Sequence, residues 1–330
     1  MSTTTALPFP IEILTMIIEE AWKATTTSTE RSIIYDVFAP VSSDLFKALV
    51  KTALRFVRMS LDQYDLDDLK MYAVLHAEAM RLAEEQTCAD DFLRQLFHKT
   101  QFDLHINCRL EPQMEAVVFK TITSIVKDCK TFRLAQCVGC RLFRGRCASF
   151  VNLAPVVFQI LLPSFPSLTH VTLEDTFNPI SEESTLIGNP LSPPVSTILS
   201  LRVRGLQLKP RDMPKLPLVA GIVSSLRELH IAQPIALKCL IGFVPPTLER
   251  LTIEAPVAEH IKDRAAYSSI LEYNIAAGLR HGLSLRGPAR AGLQKIVVLT
   301  GKEEPIGWSS AKQACEEYGV ELVHEVVSNH

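Results

Sequence analysis

The sequence predicts an α/β protein in which an irregular solenoid of repeated strand units follows a small helical module. Three observations lead to this prediction. The first 60 residues place apolar side chains at helical spacing between polar breaks. From residue 126 onward, one short apolar pattern recurs at irregular intervals. A chain of 330 residues, 47% of them hydrophobic, can also bury a large core. We therefore expect a helical module at 1–60, a helical linker with a first irregular repeat at 61–125, and the solenoid at 126–330.

The charge balance narrows the class of partner. Lys and Arg number 34 against 36 Asp and Glu, so the net charge of -2 gives no global reason to expect nucleic acid or an anionic membrane. The sequence shows neither a secretory signal nor an apolar run of the ~20 residues that cross a bilayer. Eight dispersed cysteines do not indicate a disulfide framework. We expect a cytoplasmic or nuclear protein with reduced thiols.

The N-terminal stretch LPFPIEILTMIIEEAW predicts an amphipathic helix. One face of this helix is formed by Leu7, Ile11, Leu14 and Ile18, and its flank by Ile13 and Ile17. A polar loop is expected over Lys23 to Arg31, and two more short helices up to about residue 53. Strong helix formers without Gly or Pro predict a further helix from Asp67 to Glu85.

The repeated pattern reads apolar-x-x-apolar-x-apolar and predicts one strand per unit. Its clearest copies are Cys129–Leu134, Leu168–Leu173, Ile198–Val203, Leu226–Ile231, Leu248–Ile253 and Leu293–Val298, with an earlier copy at Leu54–Met59 and a weak one at Ile270–Ile275. Apolar helical turns between the copies are typical of leucine-rich repeats, in which stacked units share a core that no single unit could bury. A last helix, Ser310 to Tyr318, and strand, Val320 to Val323, are expected to end an irregular, leucine-rich-repeat-like solenoid.

The N-terminal motifs resemble an F-box. Its usual pattern, LPxE(I/L)xxxI followed after a gap by VSxxF, is similar to the LPFPIEILTMII and VSSDLF stretches of this chain. An F-box followed by degenerate repeats is typical of the divergent F-box proteins abundant in mushroom-forming fungi, and FPSLTHVTL and SLRELHI resemble repeat lines of that group. The resemblance extends in order along nearly the whole chain.

This resemblance implies a substrate-recognition adaptor of a Skp/cullin/F-box ubiquitin ligase. Its partners would be the Skp adaptor subunit, the cullin ligase complex and a protein substrate of unknown identity. Carried over by position, the Skp-binding residues would be Leu7, Pro8, Ile11, Leu14, Ile18, Val41, Leu45 and Phe46. A simpler interpretation is that the first helix only caps the open end of the solenoid, as terminal repeats require.

The polar positions within the strands predict a partner-binding face. Side chains alternate between the two faces of a strand, so residues between the buried apolar positions share one face. The substrate-binding candidates are Arg133, His170, Thr172, Arg202, Arg204, Glu228, His230 and Arg250. Arginine binds carboxylate and phosphate in a bidentate manner, which favours an acidic or phosphorylated segment, whereas an ordinary solvated sheet face explains the same pattern without function.

Cys137 and Cys140 have the C-x-x-C spacing of a zinc site, and Cys129 and Cys147 lie close enough in sequence to complete it. Cys129 also occupies an apolar strand position, where a thiol packs as a small hydrophobic group. No second C-x-x-C or spaced His pair follows, so unpaired thiols without metal are expected. The same stretch is basic, but its few aromatic residues disfavour a nucleic-acid site.

Catalytic motifs are missing from the sequence. It contains no Gly-rich phosphate loop, no H-E-x-x-H and no G-x-S-x-G. We therefore expect no enzyme activity and no cofactor. A non-catalytic interaction scaffold without ligase association is the second hypothesis, and an unrecognised enzyme is a remote third.

Overall fold

The computed structural model describes residues 10–61, 66–84, 96, 99–106, 112–136, 161–174, 197–204, 225–232, 241, 245–254, 275–286, 292–300, 304–305 and 307–326. The chain divides into two compact units. Unit 1 comprises Met1–Leu142 and Ser164–Leu168, and unit 2 comprises Phe143–Pro163 and Thr169–His330. No helix among the described residues is long and apolar enough to cross a membrane.

The described strands form a nine-stranded, all-parallel sheet in the order of the chain, and helices connect several of them. This arrangement belongs to the α/β class. The more specific prediction of an irregular leucine-rich-repeat-like solenoid with an F-box-like helical module is wrong, because the described residues form one parallel sheet with its helices. The repeated pattern identified strands, but a buried parallel strand produces the same apolar spacing whatever the architecture around it.

Unit 1 begins with three helices and a strand and continues with alternating helices and strands. Its elements are α1 (Ile11–Ala24), α2 (Ser28–Phe38), α3 (Ser43–Arg55), β1 (Phe56–Leu61), α4 (Asp67–Glu84), β2 (Gln101–Ile106), α5 (Pro112–Ile125) and β3 (Thr131–Gln136). The predicted helix from Asp67 is confirmed almost to its last residue. Strands β1, β2 and β3 pair in parallel, and Phe102, Phe132 and Phe165 pack their rings in the core beside them.

Helices α1 and α4 satisfy the polar groups of β1. The Trp22 indole N–H donates to the Phe56 carbonyl at 3.1 Å, and the Arg58 amide donates to the Tyr72 hydroxyl at 2.9 Å. The Ser60 amide donates to the Asp68 carboxylate at 2.7 Å. These contacts protect a strand whose unpaired groups would otherwise be exposed at a sheet edge. Helix α1 is therefore packed against the strands of unit 1, which is the physical reason why the leading helices are not a module separate from them.

Unit 2 contains β4 (His170–Glu174), β5 (Ser200–Arg204), β6 (Glu228–Ala232), β7 (Arg250–Glu254), α6 (Ile275–Arg286), β8 (Lys295–Thr300), α7 (Trp308–Glu316) and β9 (Glu321–Val326). A 3₁₀ turn at Leu162–Ser164 precedes β4. Strands β4 to β9 pair in parallel, each with the next. The predicted last helix is confirmed to within two residues at each end, and the predicted last strand is confirmed but extends three residues further, to Val326. Ile275, at the end of the weak pattern copy, begins a helix instead.

The repeated strands begin two residues later than the sequence pattern. The first apolar residue of each copy lies in the turn before the strand and is buried there: Cys129, Leu168, Ile198, Leu226, Leu248 and Leu293. The residue just before the strand offers its carbonyl to the next strand's first amides, as Thr169 does to Leu199 and Ser200. Each of these six copies therefore marks a buried turn together with the first four residues of a strand.

Candidate functional site

The predicted Skp-binding residues of helix α1 share one face but differ in exposure along the helix. Ile18 is fully buried together with Trp22, Leu14 is half-buried, and Ile11 is exposed. Leu7 and Pro8 lie outside the described residues. The stripe that the sequence suggested as a docking face therefore faces the core over most of its length, because Leu14, Ile18 and Trp22 follow one another at intervals of four along the helix.

The remaining predicted Skp contacts also differ in exposure. Val41 is exposed in the turn after α2, whereas Leu45 is buried on α3. Phe46 is half-buried and packs edge to face against Tyr35, with ring centroids 6.3 Å apart. Within the described part of the chain, Ile11 and Val41 are the members of the predicted set that a partner could reach.

Ile13 and Ile17, which were predicted to lie on the flank of α1, belong to the exposed apolar surface. On α1, Ile13, Met16 and Ile17 are 45%, 67% and 48% exposed, at the spacing of one helical face. On α2, Ile33 and Val37 are more than half exposed at a spacing of four. We call these five residues, with Val41, the outer apolar set. Their signal in the sequence is an excess of apolar residues around α1, more than one buried stripe requires.

The outer apolar set is concentrated in one part of the chain. Seven of the fourteen large apolar side chains that are exposed among the described residues lie between Ile11 and Val41. Single exposed apolar residues are ordinary, whereas exposed apolar side chains repeated at helical spacing on α1 and on α2 are candidates for a binding surface. The amphipathic order of α1 and α2 fits recognition through helices.

Strands β4 to β7 bring most of the predicted substrate-binding residues onto one face of unit 2. In the parallel register, Thr172, Arg202 and His230 stand opposite one another on neighbouring strands, as do Glu228 and Arg250. His170 lies in the same row as Glu228, and the Arg204 backbone pairs with Glu174. Arg133 is the exception, because it lies on β3 in unit 1.

Charges on this face are largely paired across strands. His230 Nε2 lies 2.9 Å from Glu254 Oε2, and Arg202 Nη2 lies 3.9 Å from the same oxygen. Lys295 Nζ is 3.2 Å from a Glu321 carboxylate oxygen. Glu254 was not among the predicted site residues, although its position in the strand pattern matched theirs. A face of mixed, paired charge suits a partner protein of mixed charge better than it suits a catalytic centre, which requires groups that converge on one point.

The cysteines provide no described metal centre. Cys137, Cys140 and Cys147 lie outside the described residues, so the predicted absence of zinc at that motif stays a prediction. Cys129 is buried, and desolvation together with the nearby Asp128 carboxylate raises the pKa of its thiol well above its usual range. Among the described residues, no cluster of three or more His, Cys, Asp or Glu side chains could hold a metal ion. Cys129 is therefore a packing residue.

Comparison of the sequence with protein-family models and with curated proteins gives no match.

Proposed function

We propose that the protein is a non-catalytic adaptor that joins a Skp/cullin/F-box type ubiquitin ligase to a protein substrate. In this proposal the outer apolar set binds the Skp subunit, and the polar face of β4 to β7 holds the substrate. The concentration of exposed apolar side chains on α1 and α2 is the observation that supports it most directly. An adaptor of this kind works in the cytoplasm or the nucleus.

The proposed docking residues differ from those that the motif implied. Burial of Ile18 and Leu45 removes them as contacts, so the surface must be formed by Ile13, Met16 and Ile17 with neighbours on α2. Apolar side chains at such exposure can each contribute ~1–2 kcal/mol when a partner covers them. Together they are sufficient for a specific complex if the partner presents a matching groove.

A binding experiment with aspartate substitutions tests the docking surface. The full chain and a recombinant fungal Skp subunit are mixed, and complex formation is measured by size-exclusion chromatography and calorimetry. The double substitution Ile13→Asp/Ile17→Asp should weaken binding at least a hundredfold, because two charges would enter an apolar interface. Val74→Asp on α4 is the matched control, since Val74 is 51% exposed and lies outside the outer apolar set.

The outcomes separate the two main hypotheses. Loss of binding in the double variant with retention in Val74→Asp supports the adaptor. Equal binding by all three proteins refutes docking through α1. A wild-type chain that does not bind the Skp subunit refutes the ligase role.

Burial of Ile18 and Leu45 is the specific observation that favours the second hypothesis, a protein-interaction scaffold without ligase association. In that case the outer apolar set binds a different protein. A crosslinking experiment with photoreactive residues at positions 16 and 33 would then capture a partner that is not the Skp subunit.

A further inference from the structure

Strand β9 of unit 2 is the last strand in the order of the sheet. It pairs with β8 over its whole length, Glu321–Val326. The Glu321 amide donates to the Gln294 carbonyl at 2.8 Å, so the backbone groups of Glu321 point towards β8. In a parallel ladder the backbone groups of successive residues point to opposite sides. The N–H and C=O groups of Leu322, His324 and Val326 therefore point outward, away from β8.

The outward backbone groups of β9 have no hydrogen-bonding partner among the described residues. Strand β1 differs, because the amides of Arg58 and Ser60 donate to the Tyr72 and Asp68 side chains. Strand β9 also contains neither proline nor lysine, and its register with β8 is continuous, so three features that commonly protect an edge strand are missing from it. An edge of this kind is a template for another strand.

On one side of the sheet, β9 carries an apolar row that is incompletely covered. Leu322 is buried, and His324 packs edge to face against Trp308 of α7, with ring centroids 5.7 Å apart. Val326 lies on the same side, because side chains alternate along a strand, but it is 56% exposed. An apolar side chain on a strand outside β9 would cover Val326 and extend this row.

On the other side of the sheet, β9 carries two exposed carboxylates. Lys295 of β8 stands opposite Glu321 and approaches its carboxylate to 3.2 Å. Glu325 stands opposite Leu299, which offers no counter-charge. Glu325 is exposed and forms no ion pair with the described residues. A basic residue on a strand outside β9 would therefore meet Glu325 as Lys295 meets Glu321.

We propose that the outer edge of β9 binds an extended segment of another protein, with apolar residues on the side of α7 and a basic residue opposite Glu325. In such strand addition the main-chain hydrogen bonds provide affinity, and alternate side chains provide specificity. Opposite charges and apolar groups that face each other across two strands both stabilise the pairing. A second copy of this chain fits less well, because its own β9 would bring glutamates to the edge instead of a basic residue.

Strand addition at β9 goes beyond the proposed adaptor function. The residues that carry it belong neither to the outer apolar set nor to the polar face of β4 to β7. Failure of Skp binding would leave strand addition intact, and failure of strand addition would leave Skp docking intact.

Peptide binding measured by fluorescence anisotropy tests the proposal. The full chain is titrated into the labelled peptide GKVTVKVG, in which valines alternate with lysines and a threonine. The peptide GEVTVEVG has the same strand pattern with the opposite charge. Saturable binding of the lysine peptide, at least about fivefold tighter than the glutamate peptide, supports the proposal. Absence of saturable binding up to about 0.5 mM of the chain, or equal binding of the two peptides, overturns it.

Methylation of peptide amides tests the backbone bonds. One version of GKVTVKVG is N-methylated at the valines, and another at the lysines and the threonine. Only one of these two sets of amides can face β9, the valines if the added strand is antiparallel and the other set if it is parallel. One version should therefore lose binding at least about tenfold, and the other should bind more tightly than it. Equal binding by the two versions overturns strand addition.

Reversal of the Glu325 charge tests the register. Glu325→Lys should weaken binding of GKVTVKVG about three- to tenfold, because like charges would then stand opposite each other. Either GEVTVKVG or GKVTVEVG should restore binding to this variant, according to the orientation of the peptide. Glu84→Lys is the matched control, since Glu84 is exposed at the end of α4 in unit 1 and its reversal should leave the affinity unchanged. Equal losses in the two variants, or failure of both peptides to restore binding, overturn the assignment.

A proline at the edge removes one outward donor. Val326→Pro should weaken the peptide about five- to tenfold, because an edge strand tolerates proline where its N–H faces outward but can no longer donate there. Val326→Thr keeps the amide and should weaken binding less. Thermal unfolding of each variant establishes that it is folded. Equal affinities of the two variants for the peptide overturn the proposal.

Sedimentation of the chain alone distinguishes a second copy from a different partner. The expected result is an association state that Val326→Pro leaves unchanged. A dimer that Val326→Pro converts to a monomer would assign the edge to a second copy of the chain and overturn the proposal of a basic segment.

Discussion

Asp68 is the side chain of unit 1 whose loss should affect stability most sharply. It is fully buried on α4 and forms an ion pair with the buried Arg31 of α2, whose Nε lies 3.0 Å from the Asp68 carboxylate. The same carboxylate accepts a hydrogen bond from the Ser60 amide. Asp68→Asn leaves the guanidinium buried without a counter-charge. Removing one partner of a buried pair costs about 3–5 kcal/mol, and we expect about 3 kcal/mol here because the amide oxygen still accepts one hydrogen bond. For a domain of this size, Tm should fall by about 6–12 °C.

The preceding residue provides the control. Asp67 lies in the same first helical turn and pairs with Lys70 at 2.8 Å, but both side chains are about 70% exposed. Asp67→Asn should therefore cost at most about 1 kcal/mol. Thermal and urea unfolding of both variants, followed by circular dichroism, measure the difference. Equal costs for the two variants would refute the claim that burial makes the Asp68 pair important.

A double variant separates the charge from the packing. Arg31→Met/Asp68→Leu replaces both charges with apolar groups, so it should be more stable than either single variant. A double variant whose loss equals the sum of the two single losses would show that the two residues act independently.

Three further predictions concern the core and the thiols. Gly292→Ala should destabilise unit 2 by about 1–3 kcal/mol, because an added Cβ would lie 1.9 Å from the Pro246 carbonyl oxygen; chemical denaturation would detect this, and an unchanged midpoint would refute it. Phe132→Ala should cost about 3–5 kcal/mol, since it opens a cavity beside Phe165, whereas a loss under about 1 kcal/mol would show that the site collapses around the gap. Burial raises the pKa of the Cys315 thiol to about 12. At pH 8 this thiol should therefore be alkylated far more slowly in the native chain than in urea, as measured by peptide mapping. Equal rates would contradict its burial.

The apolar pattern located most strands because each copy places a buried residue before the strand and two more within it. The pattern did not identify strand β2. In the other copies an apolar residue lies two positions before the strand, whereas before β2 this position is the exposed Lys99. Its inward residues, Phe102, Leu104 and Ile106, follow the usual alternation. A search for the two-residue period alone would have found β2 at the cost of many false strands.

The candidate surfaces were predictable to different degrees. Strand alternation was sufficient to place His170, Arg202 and His230 on one face, because the period of two leaves only two possible faces. The exposed face of α1 was assigned wrongly. Its apolar residues surround more than half of the helix, so the sequence alone could not indicate whether Ile18 or Ile17 faces the core.

The sequence by itself determined the α/β class, the position of most strands and the polar face of β4 to β7. These are local properties, because period and propensity depend on residues a few positions apart. Only the tertiary structure decided that α1 and α4 cover the edge of β1, that Arg31 meets Asp68, and that Arg58, Asp103 and Arg133 line one cleft. Except for the bond between Ser60 and Asp68, these contacts join residues that are 30 or more positions apart, and packing free energy, which no local pattern encodes, selects among them.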